Sequence, residues 1–548
     1  MSINEKRIVY FLFLLILSST FYLGVSYYTD NTKKVPSFGG EYSEGMVGQP
    51  RFINPILCQT NDIDSDLSAI IHSSLLKLDS NGNLVNDLTQ SYEIGEDRLS
   101  YTFHIRKNVK WHNGRDLNVD DIIYTIQTIQ NPGYNSILRT NWTGVRAEKI
   151  DDHTIKFSLK TVYAPFLNNL TFGILPKHLL ENIGIGNYPL ADYHLKPIGS
   201  GPFKFNKLSK DKEGKVSSIE LIVNNSYYLQ KPLIEKITFK FFEEEEDAIS
   251  AYNRKELKGI NYLSPKNIDK IADPETSNIN RLSIPRYLAI FFNQTKNKAL
   301  SDKTVRIALA HAIDKNKLIT EILSGEGIPS HAPIPTQLLE RKADAKIYGY
   351  ALEQANDMLE EAGWVDSDGD GIREKEDVKI EFTLITHNQT EFSQSAELLK
   401  EMWKEIGASV EIKNLDTNEL REDYIKSREY EALLFAQILN YDPDPFAFWH
   451  SSQKKESGLN FSLYDNIKAD SLLEEARAEI DTETRAEKYR EFQELVVEDI
   501  PVIFLYNPKY LYVQNKSVQG TDLNNIIIPS DRFNGIKDWF IKIGVVWK

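Results

Sequence analysis

The chain is poor in cysteine. Its 548 residues include only Cys58, so no intramolecular disulfide can form. A lone cysteine is ordinarily a small, buried, apolar side chain. Leu57-Cys58 is not read as a lipid-attachment site, because the apolar run ends well upstream and bulky residues precede it. Positive charge is also in deficit. Lys and Arg number 64 against 79 Asp and Glu, a net charge of -15, which argues against a nucleic-acid surface. Several catalytic signatures are missing. There is no His-Glu-x-x-His, no Cys/His pair and no phosphate loop, and Gly199-Ser200-Gly201 lacks the spacing of a nucleophile elbow. Internal repeats and low-complexity segments are absent as well.

What remains is an ordinary globular composition, 41% hydrophobic and 26% charged. A single core rarely exceeds about 250–300 residues, so two or three domains are expected. Ile8 to Tyr28 is almost wholly apolar, follows Lys6 and Arg7, and is near the length that spans a bilayer. Bulky Phe21, Tyr22 and Leu23 follow the small residues Ser18 to Thr20, so an uncleaved anchor is favoured over a cleaved signal. Residues 29–40 read as a short polar linker.

The most informative stretch is Asp79 to Gln130. Leu99, Tyr101, Phe103 and Ile105 alternate with polar residues, which predicts a strand with one buried face. His112-Asn113-Gly114 is a turn. Asn118 is placed to cap a helix whose first turn carries Asp120 and Asp121. Ile122, Ile126 and Ile129 form its apolar stripe. Further on, the glycines of Pro197 to Phe205 are expected in a tight turn before a strand. Glu243 to Glu246 reads as a solvated turn and helix start, and Ser301 or Asp302 as the cap of a helix with His311 in its packed face. Val378 to Leu415 reads as strand, helix, strand, which suggests a partly parallel sheet. Ser471 to Val497 is a long charged helical region, and Pro501 to Tyr506 a closing strand.

Asp366-Ser367-Asp368-Gly369-Asp370-Gly371 has the alternating carboxylates of a calcium loop. Asp377 stands where a bidentate Glu is usual, and flanking helices are not evident. A plain acidic turn is favoured over calcium, with Asp366, Asp368, Asp370 and Asp377 as the candidate ligands.

Several spaced motifs carry a resemblance. They are Leu88-x-x-Ser91-Tyr92, the run Tyr101 to Gly114, Asp120 to Ile126, Pro197 to Phe205, and Asp302 to Asp314 with its Val305-Arg306 and Ala308-Leu309. Together they resemble the extracytoplasmic solute-binding proteins of ABC transporters, family 5, the oligopeptide/dipeptide-binding group. The resemblance implies an α/β, two-lobed periplasmic-binding-protein-like fold of type II, with an extra small domain, behind an N-terminal transmembrane helix. On that pattern residues 1–7 are a cytoplasmic tail and 8–28 the anchor or signal. Lobe I comprises 41–75, 199–285 and 511–548, the small domain 76–198, and lobe II 286–510. The implied function is capture of a peptide or similar solute and delivery to a membrane permease, by an extracytoplasmic, monomeric, non-enzymatic receptor. A membrane-anchored hydrolase of peptides or glycans, or a surface sensor, is the alternative, since paired carboxylates alone do not exclude glycosidase chemistry. Asn293, Leu439, Asp442 and Asp444 are the implied ligand-binding positions. In peptide-binding members an Asp that pairs with the ligand's amino terminus stands at the place of Leu439, which puts free-amine capture in doubt here.

Overall fold

The computed structural model describes residues 3–336, 338–339, 346–456, 458–523 and 526–548. A helix, Ile3–Asn31, leads directly into a strand, Thr32–Ser37. The expected linker is therefore partly a strand. Its antiparallel partner is Lys542–Trp547, pairing Thr32 with Trp547 and Ser37 with Lys542. Such a partner, at the other end of the chain, leaves no local signal.

Lobe I is built on Glu41–Val47, which pairs in parallel with Lys236–Phe242 and with Gly259–Ile260. Phe203–Lys210 and Val216–Val223 continue that sheet outward. Lobe II is built on Arg286–Phe292, flanked by Ala432–Ile438, with Glu381–His387 and Ser409–Leu415 beyond. The last two flank the helix Thr390–Lys404 and run parallel. The small domain is a four-stranded antiparallel sheet covered by the helix Val119–Gln130. Asn118 caps that helix by accepting from Asp120 N at 2.9 Å, while Asp121 accepts from Asn118 N at 3.2 Å. Ile122, Ile126 and Ile129 are buried against Phe103 and Phe157.

One strand belongs to both lobes. Val502–Asn515 runs for 14 residues. Its first part pairs with Arg286–Phe292 and its second with Ser277–Ser283. The predicted closing strand thus continues well past Tyr506. Between Ser283↔Lys509 and Leu288↔Tyr506 the ladder is interrupted. Pro285 and Pro508 lie in that gap, and neither has an N–H to donate. The lobes are thus joined where this edge of the sheet has its fewest hydrogen bonds.

Gly199 and Gly201 serve close approach rather than a positive-φ turn. A Cβ on Gly199 would lie 1.9 Å from Ile71 O, and one on Gly201 2.7 Å from it. Gly201 N donates to that same carbonyl at 2.8 Å. Gly199 N also donates to His112 Nδ1 at 3.2 Å, and His112 Nε2 donates to Gly201 O at 3.1 Å. Burial pulls the His112 pKa down to about 4, which keeps it neutral for this role.

Lobe I has a charged centre. Arg532 is fully buried, with its guanidinium 2.7 and 2.5 Å from the Asp66 oxygens and 2.5 Å from Glu44 Oε1. Its plane lies 4.2 Å from the Phe533 ring, and Tyr42 donates to Glu44. Two carboxylates face one cation. Burial raises the Asp66 carboxyl to about 7 against the opposing pull of Arg532. Removing the cation strands buried negative charge, so Arg532→Met is expected to lose about 3–5 kcal/mol in denaturant unfolding. A raised carboxyl pKa favours folding below the unfolded value of about 4 and loses that benefit as pH rises toward the folded value. The stability of Asp66→Asn relative to the native chain should therefore rise between about pH 4 and pH 7. A loss below about 1 kcal/mol for Arg532→Met would show that the network carries no such burden.

Candidate functional site

The segment that follows the lobe II strand Ala432–Ile438 lies where the two lobes and the small domain meet. Leu439 N donates to Pro285 O at 2.9 Å, which ties this segment to the crossing. The Leu439 side chain is buried in lobe II with Phe504 and Trp449. It is a core residue and offers no polar group. Asn293 also faces inward. It is fully buried at the far end of Arg286–Phe292, where its Nδ2 donates to Arg428 O at 3.0 Å and its Oδ1 accepts from Thr295 Oγ1 at 2.7 Å. All these partners lie within lobe II, so the structure places Asn293 in a structural turn rather than at the site.

Asp442 and Asp444 are both paired. Two helices, Ile467–Ala478 and Thr482–Asp499, stand where the sequence suggested one. Asp481 caps the second by accepting from Thr484 N at 2.8 Å. The break sets Arg477 and Arg485 on either side of it. Arg485 Nη2 lies 3.1 Å from Asp442 Oδ2. Arg477 Nε donates to Asp444 at 2.9 and 3.0 Å, and its Nη2 lies 2.8 Å from Oδ2. That guanidinium also stacks 4.0 Å from the Phe446 ring. Burial raises the Asp442 carboxyl above its usual range, and Arg485 opposes the shift.

Side-chain contacts from this segment cross between bodies. Tyr163 of the small domain donates to Asp444 at 3.2 Å and sits 5.2 Å from the Arg477 guanidinium. Tyr441 of lobe II donates to Asp531 of lobe I. Asp531 is braced by Ile527 N and Ile528 N, each at 2.9 Å. Near the crossing, Arg286 pairs with Glu391 at 3.3 Å, and Tyr262 stands beside both of them. Burial, then Glu391, raises the Tyr262 hydroxyl to about 12, so it stays protonated and able to donate. Arg477, Arg485, Tyr163, Tyr441 and Asp531 were not found from sequence. Arg477 and Arg485 lie among many charges in one helical region, and the others pair over long sequence separations.

The acidic loop is a separate feature of lobe II. Asp366, Asp368 and Glu374 bring ligand atoms within 4.8 Å of one another. Glu374, rather than Asp377, completes that group. Asp377 lies at φ 64 in the hairpin turn between Glu374–Lys375 and Val378–Lys379. Lys379 Nζ is 3.0 Å from Asp368 Oδ2 and also pairs with Asp370, so a fixed cation already stands in the loop.

The arrangement offers hydrogen-bond donors, aromatic faces and ion pairs where the two lobes and the small domain meet. Tyr163→Phe should release the small domain from Asp444. Hydrogen exchange across residues 160–170 is expected to speed up at least several-fold, and unchanged protection would contradict this role for the pair.

Comparison with known proteins agrees with this architecture. Residues 83–459 match the model of the bacterial extracellular solute-binding proteins, family 5. The oligopeptide-binding protein AppA of Bacillus subtilis is 29% identical over 516 residues, 92% of each chain. Its structure in complex with a nonapeptide covers 93% of this chain and all of that one, with a TM-score of 0.74 and 27% identity. NikZ of Campylobacter jejuni, solved with Ni(L-His), covers 91% of this chain and 99% of its own, with 26% identity and a TM-score of 0.74. The chain belongs to the bacterial extracellular solute-binding proteins, family 5.

Proposed function

We propose that this protein is the peptide receptor of an ABC importer, held at the outer face of the membrane by its retained apolar helix. The observation that carries this is the shared crossing strand, Val502–Asn515, with its interrupted ladder at Pro285 and Pro508. Two lobes hinged there can close on a ligand, and closure requires only that the closed state contact it better. No covalent step is needed. The length match to an oligopeptide-binding relative supports a peptide as ligand. A membrane permease then reads the closed, monomeric receptor. The helix Arg7–Asn31 is long and apolar enough to cross a membrane, which supports the anchor.

The ligand need not carry a free amino terminus. Leu439 is buried and apolar, and the carboxylates nearest to it in sequence, Asp442 and Asp444, already have Arg485 and Arg477 as counter-ions. An ammonium brought beside Leu439 would face an apolar side chain and lose its hydration at a cost of several kcal/mol. The acidic loop is proposed to hold its shape without calcium, since Lys379 supplies the opposing charge.

Calorimetry of the full chain with matched free and N-acetylated peptides tests the recognition mode. Equal or tighter binding of the acetylated form is expected. Loss of binding on acetylation would contradict it, and Asp442→Asn and Asp444→Asn would then identify the carboxylate that takes the amine.

A further inference from the structure

Six of the seven tryptophans, at positions 111, 142, 364, 403, 449 and 539, are buried. Trp547 is 62% exposed. It ends the ribbon strand that pairs with Thr32–Ser37, directly after the apolar helix. Its ring centroid lies 6.3 Å from that of Tyr27 and 5.8 Å from that of Tyr28. Those two tyrosines close the apolar run. Lys548 fastens the same end, with its backbone N–H donating to Asn31 O at 2.8 Å and Nζ to Asp30 O at 2.6 Å. The final strand is therefore clamped to the outer end of the helix.

The surroundings are those of a bilayer interface. Ile543, Val545 and Trp547 alternate along one face of the ribbon, and all three are exposed. Pro36 faces Ile543 across the pair, and Lys34 faces Val545. The ribbon and its ends carry Lys33, Lys34, Lys542 and Lys548 against the single acid Asp30, in a chain whose net charge is -15. Aromatic rings with one polar edge gather at headgroup depth, and lysines beside them favour anionic lipid.

We propose that Tyr27, Tyr28 and Trp547 form one aromatic collar seated in the outer headgroup layer of a lipid bilayer, docking the last strand, and lobe I behind it, on the membrane surface. The proposal rests on the reading of Arg7–Asn31 as a retained span. It adds that the receptor is held by the strand Lys542–Trp547 as well as by the helix and does not swing on a free tether. Lobe I then keeps a constant side toward the membrane.

Trp547 reports on itself, because the other tryptophans are buried. The full chain is reconstituted in vesicles of phosphatidylcholine and phosphatidylglycerol, with bromine placed on the acyl chains near the glycerol. Flotation with the vesicles reports the span. Bromolipid quenching of part of the tryptophan emission is expected, with that part missing in Trp547→Phe, which keeps an aromatic ring in the ribbon. Aqueous iodide should leave the same emission untouched. Flotation with iodide quenching and no bromolipid quenching would overturn the collar alone. Shielding from both quenchers would show that protein, such as a second copy of the chain, covers Trp547, and would also overturn it. Failure to float would overturn the span and the collar with it.

Discussion

The structure depends on a shortage of hydrogen bonds at one place. Val502–Asn515 is a single continuous strand, yet on its edge toward residues 277–292 the ladder stops between Lys509 and Tyr506. Pro285 and Pro508 stand in the gap without donors. Both lobes are densely packed bodies with separate apolar cores. Packed cores resist gradual deformation, so relative motion concentrates where the backbone is least bonded. On this edge the crossing is that place, while the strand's opposite edge pairs Tyr506 to Pro508 with Gly327–Pro329.

Around the crossing, charges come in balanced sets. Asp442 has Arg485, Asp444 has Arg477 and Tyr163, and Arg286 has Glu391. Each of these carboxylates therefore already has a cationic partner. Tyr163 to Asp444 and Tyr441 to Asp531 are single hydrogen bonds to carboxylates across bodies, and Arg281 of lobe I also pairs with Glu326 of lobe II at 2.7 Å. Hydrogen bonds to a charged group contribute about 1.5–3 kcal/mol each. In lobe I the buried Arg532 stands between Glu44 and Asp66 and joins three chain segments.

Local chemistry was legible in the sequence, and long-range pairing was not. Asn118 with Asp121 marks a helix start because capping acts within three residues. Phe103 and Ile105 show their buried face through alternation alone. Asp302 caps its helix for the same local reason, accepting from Thr304 N at 2.8 Å. By contrast, the role of Gly199 depends on the carbonyl of Ile71, and Arg477 becomes special only when Asp481 starts a new helix beside it. Asn293 sat in a recognisable motif, and its buried hydrogen bonds show that the motif there is structural. The ribbon of Thr32–Ser37 pairs the two ends of the chain, beyond any local reading.

The central claim is that two lobes close on a ligand about this crossing without chemistry. Spin labels at Lys212 in lobe I and Lys404 in lobe II, both exposed, allow the inter-lobe distance to be measured in the full chain. Without ligand, a broad distribution that includes open forms is expected. A saturating peptide mixture should collapse it to one narrow, shorter distance, with the peptides recovered intact. An unchanged distribution with peptide bound, or recovery of cleaved peptide, would contradict the account.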